Sequence, residues 1–241
     1  MKFTDEGLII SQKKYGENSL IVKVFSREHG IYRGFVNSVK SSKDKAIYQI
    51  GNLISFEFRA RTEENLGQFA AVDLAKSYCS KIMFDRFKLD CVNSLFSIID
   101  SSFLERENHE ILFEKLLIFL QKVVDEDEAK NFLTDYIKLE LKILKTLGYG
   151  IDLSSCVVTD STVNLAFVSP KSARAVCLEA GMPYQNKLLK LPSFLTDEKS
   201  AANENDLRDG LRLSGYFLEK FIFEDRKERL GIRKKMERSF T

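Results

Sequence analysis

Eight cations of the first 61 residues, Lys13, Lys14, Arg33, Lys40, Lys43, Lys45, Arg59 and Arg61, have the type and spacing to do chemistry. Arg59 and Arg61 lie two apart in Phe56-Glu57-Phe58-Arg59-Ala60-Arg61. In an extended strand both point to one face, and a guanidinium recognises phosphate through a planar fork. Such a basic face would track a phosphodiester backbone, with Tyr15, Tyr32 or Tyr48 placed to stack on a base. The bland alternative is the solvated lysine surface that any soluble domain carries. Lys171, in Ser169-Pro170-Lys171, is a ninth candidate for phosphate, while its neighbour Arg174 is expected to fix the last third of the chain in place. The stretch from Arg226 to Arg238 holds seven basic residues against Glu228 and Glu237. It reads either as a further nucleic-acid contact or as a helix end complementing its own dipole.

Catalytic patterns are missing. The chain has no Gly-x-x-x-x-Gly-Lys-Ser/Thr, no Gly-x-Gly-x-x-Gly and no Gly-x-Ser-x-Gly. His29 falls in a turn and His109 near a helix start, neither beside a Cys or Ser that it could activate. Ser11-Gln12-Lys13-Lys14 matches Ser-x-x-Lys, but that chemistry needs a helix and this segment reads as a strand end. Asp125-Glu126-Asp127-Glu128 reads as the start of a helix, Asp125 capping and Glu128 completing a capping box, rather than as a metal site. The four cysteines, at 79, 91, 156 and 177, form no Cys-x-x-Cys pair, so reduced structural thiols are expected. No catalytic residue, metal or cofactor is expected from these patterns.

The elements that position the cations follow from the hydrophobic period. With 44% hydrophobic and 30% charged residues, three prolines and twelve glycines, the 241 residues have a globular composition. The longest apolar run, Leu116 to Leu120, is far too short to span a membrane, and the first residues lack a signal-peptide core, so a cytoplasmic location is expected. Net charge is only +2. Residues 1–80 hold 12 Lys+Arg against 9 Asp+Glu, residues 81–150 hold 10 against 13, and residues 151–241 hold 15 against 13. The acidic middle is therefore the poorest place for an anion.

Short β-branched and aromatic runs predict strands at 7–12, 18–26 and 31–36, the last two a hairpin about Arg27-Glu28-His29-Gly30. A Ser/Lys-rich loop over 38–45 fits a mobile phosphate-gripping arm. Leu53 to Arg61 alternates, with Leu53, Ser55, Glu57, Arg59 and Arg61 on a wet face, and Leu66 to Ser77 follows the Glu63-Glu64-Asn65 turn. Five short strands in about 75 residues match an OB-type barrel. From Ser80 the period becomes helical through Leu147, and Gly148 is a stop. A short helix is expected over 171–180, and a last amphipathic helix from Asn203 or Asn205, packing most economically on the middle bundle. The fold class is multidomain α+β: a barrel over 1–79, a helical bundle over 80–149, a small mixed segment over 150–200, and a C-terminal helix with a basic tail over 201–241.

The order of motifs resembles the RecO family of bacterial DNA repair and recombination mediators. The residues are Asp5-Glu6-Gly7-Leu8-Ile9-Ile10, Phe25-Ser26-Arg27-Glu28-His29-Gly30-Ile31-Tyr32-Arg33-Gly34, and Phe56 to Arg61 with Leu66-Gly67. Further on, Leu144 to Leu153, Cys156, Phe167 to Val176, and Ala180-Gly181-Met182-Pro183-Tyr184 are similar to the same family. The resemblance implies a non-enzymatic protein of the RecF pathway that binds single- and double-stranded DNA and anneals complementary strands. It also implies contact with the C-terminal tail of single-strand-binding protein and, together with RecR, loading of RecA. Many relatives carry a four-cysteine zinc site, of which only Cys156 and Cys177 remain here, so the segment is expected to lack zinc. Two other classes compete: an adaptor whose barrel binds a protein, and a divalent-ion enzyme acting on nucleic acid, which would need carboxylates converging in a cleft.

Overall fold

The computed structural model describes residues 1–37, 39–62, 66–197 and 199–240. Ser38, at the head of the expected loop, and the expected Glu63-Glu64-Asn65 turn lie outside the described residues. By contact the chain groups into two compact units, Met1–Asp125 and Glu126–Thr241.

The first unit opens with three antiparallel strands, β1 (Lys2–Tyr15), β2 (Ser19–Ser26) and β3 (Gly30–Val36). A short helix α1 (Ser42–Ile47) leads to β4 (Asn52–Arg59) and β5 (Gly67–Ser77). Helices α2 (Arg86–Ser102) and α3 (Glu110–Asp125) complete the unit. The strands close on themselves in the order β1-β2-β3-β5-β4. Alternation sets the inside: Ile9, Val22, Val24, Tyr32, Val36, Ile54, Phe56, Phe58 and Phe69 form one buried cluster. The apolar residues of β2 that face outward are used as well, because Phe25 meets Phe113 of α3 edge-on at 5.5 Å. Leu53, expected on the wet face of β4, is buried beside its ladder partner Leu8, at the end of the barrel where β1 packs against α2.

Closure rests on two glycines. β3 runs parallel to β5, with Gly34 opposite Gly67 and Phe35 opposite Gln68. A Cβ on Gly34 would stand 2.9 Å from the Gly67 carbonyl oxygen, and one on Gly67 would fall inside the Phe58 ring. Only residues without a side chain let the two backbones approach this closely.

Two local expectations are corrected. The loop expected before Lys45 is largely a helix: Ser41 caps α1 through the Asp44 amide, and Asp44 returns a bond to the Ser41 amide. The capping box expected at Asp125–Glu128 does not form, because buried Leu120 and Val123 carry α3 on to Asp125. Glu128 is the N-cap of the next helix without a side-chain bond.

The second unit holds α4 (Ala129–Thr146), then β6 (Leu165–Val168), β7 (Ala175–Cys177), α5 (Leu178–Gly181), β8 (Leu189–Lys190), α6 (Glu204–Phe221) and α7 (Gly231–Phe240). The helix expected over 171–180 is β7 followed by a single turn, because Ala175, Val176 and Cys177 are all buried in a three-stranded sheet ordered β7-β6-β8. Asn203 caps α6 as expected, in a box with Asp206, and α6 packs on α4. A buried polar knot holds the helices together. Arg233 of α7 donates to Glu140 of α4 at 2.7 and 3.0 Å, and Ser214 of α6 donates to Glu140 at 2.6 Å. All three side chains are buried, so each charge depends on the other.

Gly67→Ala tests the seam. Forcing a methyl into the Phe58 ring is expected to cost about 1–3 kcal/mol, seen as a lower urea midpoint. An unchanged midpoint would show that the seam yields freely.

Candidate nucleic-acid interface

Because the barrel is closed, one outward-facing row can be followed around it through the ladders. Lys13 of β1 pairs with Ile21 of β2, which pairs with Phe35 of β3. Phe35 pairs with Gln68 of β5, Gln68 with Arg59 of β4, and Arg59 with Lys2 back on β1. Side chains in register project from the same face, with adjacent strands about 4.8 Å apart. The row therefore sets Lys13 on one side of the Phe35 ring and Arg59 and Lys2 on the other. Tyr15, two residues beyond Lys13, meets Phe35 edge-on at 5.1 Å and keeps 57% of its surface exposed.

A groove of about 630 Å³ opens here, lined by Tyr15, Phe35, Arg59, Arg61, Leu66 and Gln68 among others. Glu57 regulates its charge. It pairs with Arg59 and, at 3.0 Å, with Lys2. Hydrogen bonds from Arg59 and then Lys2 hold its carboxyl below the usual carboxylate range, so it is ionised at neutral pH. Arg61 is exposed and has no ion pair among the described residues.

Of the nine expected cations, the groove gathers Arg59 and Arg61, with exposed Lys13 and Lys14 on the strand that ends at Tyr15. Arg33 faces outward but is answered by Glu105 at 3.6 Å, much as its ladder partner Lys23 is answered by Asp100 at 2.7 Å. Lys40 precedes α1, and Lys43 and Lys45 are exposed on it. Lys171 is exposed in a turn of the second unit. Of the three tyrosines, Tyr32 is 4% exposed inside the barrel. Tyr48 packs against the same core, where burial raises its phenol pKa, helped by nearby Asp44. Only Tyr15 is open to a ligand. Lys2, Phe35 and Gln68 escaped the sequence reading; the alternation of Arg33 and Phe35 along β3 was the local signal for Phe35.

Three cations of the basic tail are answered within its own unit. Glu219 pairs with both Lys227 and Lys234 at 2.9 Å, and Arg233 is buried on Glu140 and Glu237. Arg174 binds Asp152 at 3.2 Å, a pair within the small segment itself.

Cys156 and Cys177 lie in one buried cluster with Phe167 and Val176. The Thr159 hydroxyl stands 3.5 Å from the Cys177 sulfur, and the Val158 amide donates to the Cys156 sulfur at 3.4 Å. Among the described residues no three His, Cys, Asp or Glu side chains gather as a ligand set. Two thiols, a hydroxyl and apolar neighbours do not fit a tetrahedral zinc ion.

Fold and surface together define an α+β protein built on a closed five-stranded barrel, with a basic, aromatic-lined groove at its seam and a second unit dominated by helices. Comparison with known proteins gives that class its family. Residues 1–78 match the pattern described as "Recombination protein O N terminal", and residues 83–230 match "Recombination protein O C terminal". The "DNA repair protein RecO" of Rickettsia typhi is 40% identical over 229 residues, which cover 95% of this chain and 94% of that relative. Those of Rickettsia conorii and Rickettsia bellii are 40% and 39% identical over the same length. The chain belongs to the RecO family, and its role lies in DNA repair. Among the described residues, no helix is long and apolar enough to cross a membrane.

The environment of Cys156 is testable. Burial pushes its thiol up, but the Thr159 hydroxyl and the amides of Cys177, Val158 and Thr159 outweigh this and bring it below the ordinary thiol range. Folding on the thiolate then contributes stability that is fully present above the ordinary thiol pKa and is lost as pH falls through the lowered one. The thiolate absorbance difference between wild type and Cys156→Ser should rise with a midpoint below the ordinary thiol value. A midpoint at or above the ordinary value of about 8.5 would contradict it.

Proposed function

We propose that this protein is a non-enzymatic recombination mediator whose barrel, of the OB type, binds single- and double-stranded DNA through phosphate contacts and anneals complementary strands. The observation that carries this is the groove at the barrel seam, where Arg59, Arg61 and the neighbouring lysines flank exposed aromatic surface. In this mechanism cations on the barrel neutralise the phosphates of two strands, releasing counterions, and base pairing itself drives annealing without nucleotide hydrolysis. Lys40, Lys43 and Lys45 on and before α1 extend the basic surface, Arg33 becomes available when DNA displaces Glu105, and Lys171 offers a separate phosphate contact.

Family membership supports the rest of the proposal: cooperation with RecR, contact with the tail of single-strand-binding protein, and delivery of RecA to covered single strands in the RecF pathway. The division into a barrel over 1–79, helices over 80–149, a small segment over 150–200 and a C-terminal helix over 201–241 belongs to the same proposal. The small segment works without zinc and without any other cofactor, its two thiols being packed and hydrogen-bonded instead.

Fluorescence anisotropy of labelled single strands and duplexes across a salt series tests the binding. Each phosphate contact adds about 0.7 to the single-strand salt slope, so Arg59→Ala/Arg61→Ala should lower the slope by about 1–1.5 and weaken binding roughly tenfold. Glu57→Gln should tighten it a few-fold by releasing Arg59 and Lys2. Absence of binding at low salt would refute the proposal and favour the adaptor.

A further inference from the structure

Tyr15 breaks the pattern of the barrel surface. An aromatic side chain at a strand end usually buries its ring, yet this one is 57% exposed and rests edge-on against Phe35 alone among the described aromatics. Phe35 is half-buried, held in the outward row between Ile21 and Gln68, so its ring is a fixed wall. Arg59 and Arg61 line the same groove, which is wide open to solvent. Aromatic faces and forked cations in one groove match the two halves of a nucleotide, a planar base and an anionic phosphate.

We propose that the exposed Tyr15 ring, braced edge-on by Phe35, is a platform on which one unstacked base of single-stranded DNA stacks while Arg59 and Arg61 hold the adjoining phosphates. The inference rests on the DNA-binding function proposed above and deepens it by assigning the selection of single strands to this pair. A base within a duplex has both faces covered by its neighbours and offers none to a ring, whereas a single strand can splay one out. The Tyr15 contribution is therefore confined to single strands, while the arginine contribution is shared by single strands and duplexes. Stacking tolerates any base, so the platform adds affinity without sequence preference.

The experiment uses the full chain and three fluorescein-labelled ligands of equal length: a mixed-sequence single strand, its duplex, and a strand carrying a run of abasic sites. Tyr15→Ala should weaken single-strand binding roughly tenfold. It should change duplex binding less than twofold and abasic binding not at all, and Tyr15→Phe should restore the wild-type value. Because Tyr15 is exposed, folding is expected to survive the change, and an unaltered urea midpoint confirms that. Equal loss on all three ligands, or no loss on the single strand, overturns the stacking platform while leaving DNA binding intact. Failure of the wild-type protein to bind any of the three overturns the functional proposal itself.

Discussion

The parallel contact between β3 and β5 is the constraint on which the first unit depends. Without it β3 and β5 would be two open edges of a sheet, exposing unpaired backbone groups. With it the sheet closes, and Phe35 and Arg59, 24 residues apart in sequence, come onto one row through Gln68. The contact is possible because positions 34 and 67 carry no side chain, and the ring of Phe58 occupies the space that a side chain on Gly67 would need. The same glycines that permit closure thus determine where the groove lies.

Electrostatics then decides which cations remain available to a ligand. A net charge of +2 on 241 residues says little, because what matters to a ligand is which cations face an acid of their own. Lys23, Arg33 and Arg174 are answered locally, and the tail spends Lys227, Arg233 and Lys234 on holding the second unit together. The buried Arg233–Glu140 pair gains from its hydrogen bonds to Ser214 and the Leu211 carbonyl, without which desolvation would outweigh the attraction. Exposed Arg61, Lys13 and Lys14, with Arg59 shared with Glu57, leave the seam of the barrel basic beside the exposed Tyr15 ring.

What could be read from the sequence was local. The two-residue period of β4 announced Arg59 on a wet face, and Asn203 announced the start of α6, because both signals lie within a few residues. Ser41 with Asp44 is an equally local capping signal, set within a Ser/Lys-rich stretch whose composition points to a loop. The rest depended on distance. Arg233 is matched by Glu140, 93 residues earlier, and Tyr32 turned inward because β3 alternates with Val24 and Phe58 as its neighbours. Lys2, Phe35 and Gln68 gained their place only through strand register around a closed barrel, which composition and local period do not encode.

Membership of the RecO family and the geometry of the seam lead to one central claim: nucleic acid meets this protein at the groove where the barrel closes. Photocrosslinking of an iodouracil-substituted single strand to the full chain, followed by peptide mass spectrometry, examines that claim directly. Crosslinks concentrated on the peptides carrying Tyr15, Phe35 and residues 59–68 are the predicted result. Crosslinks confined to residues 126–241, with none on the barrel, would contradict it.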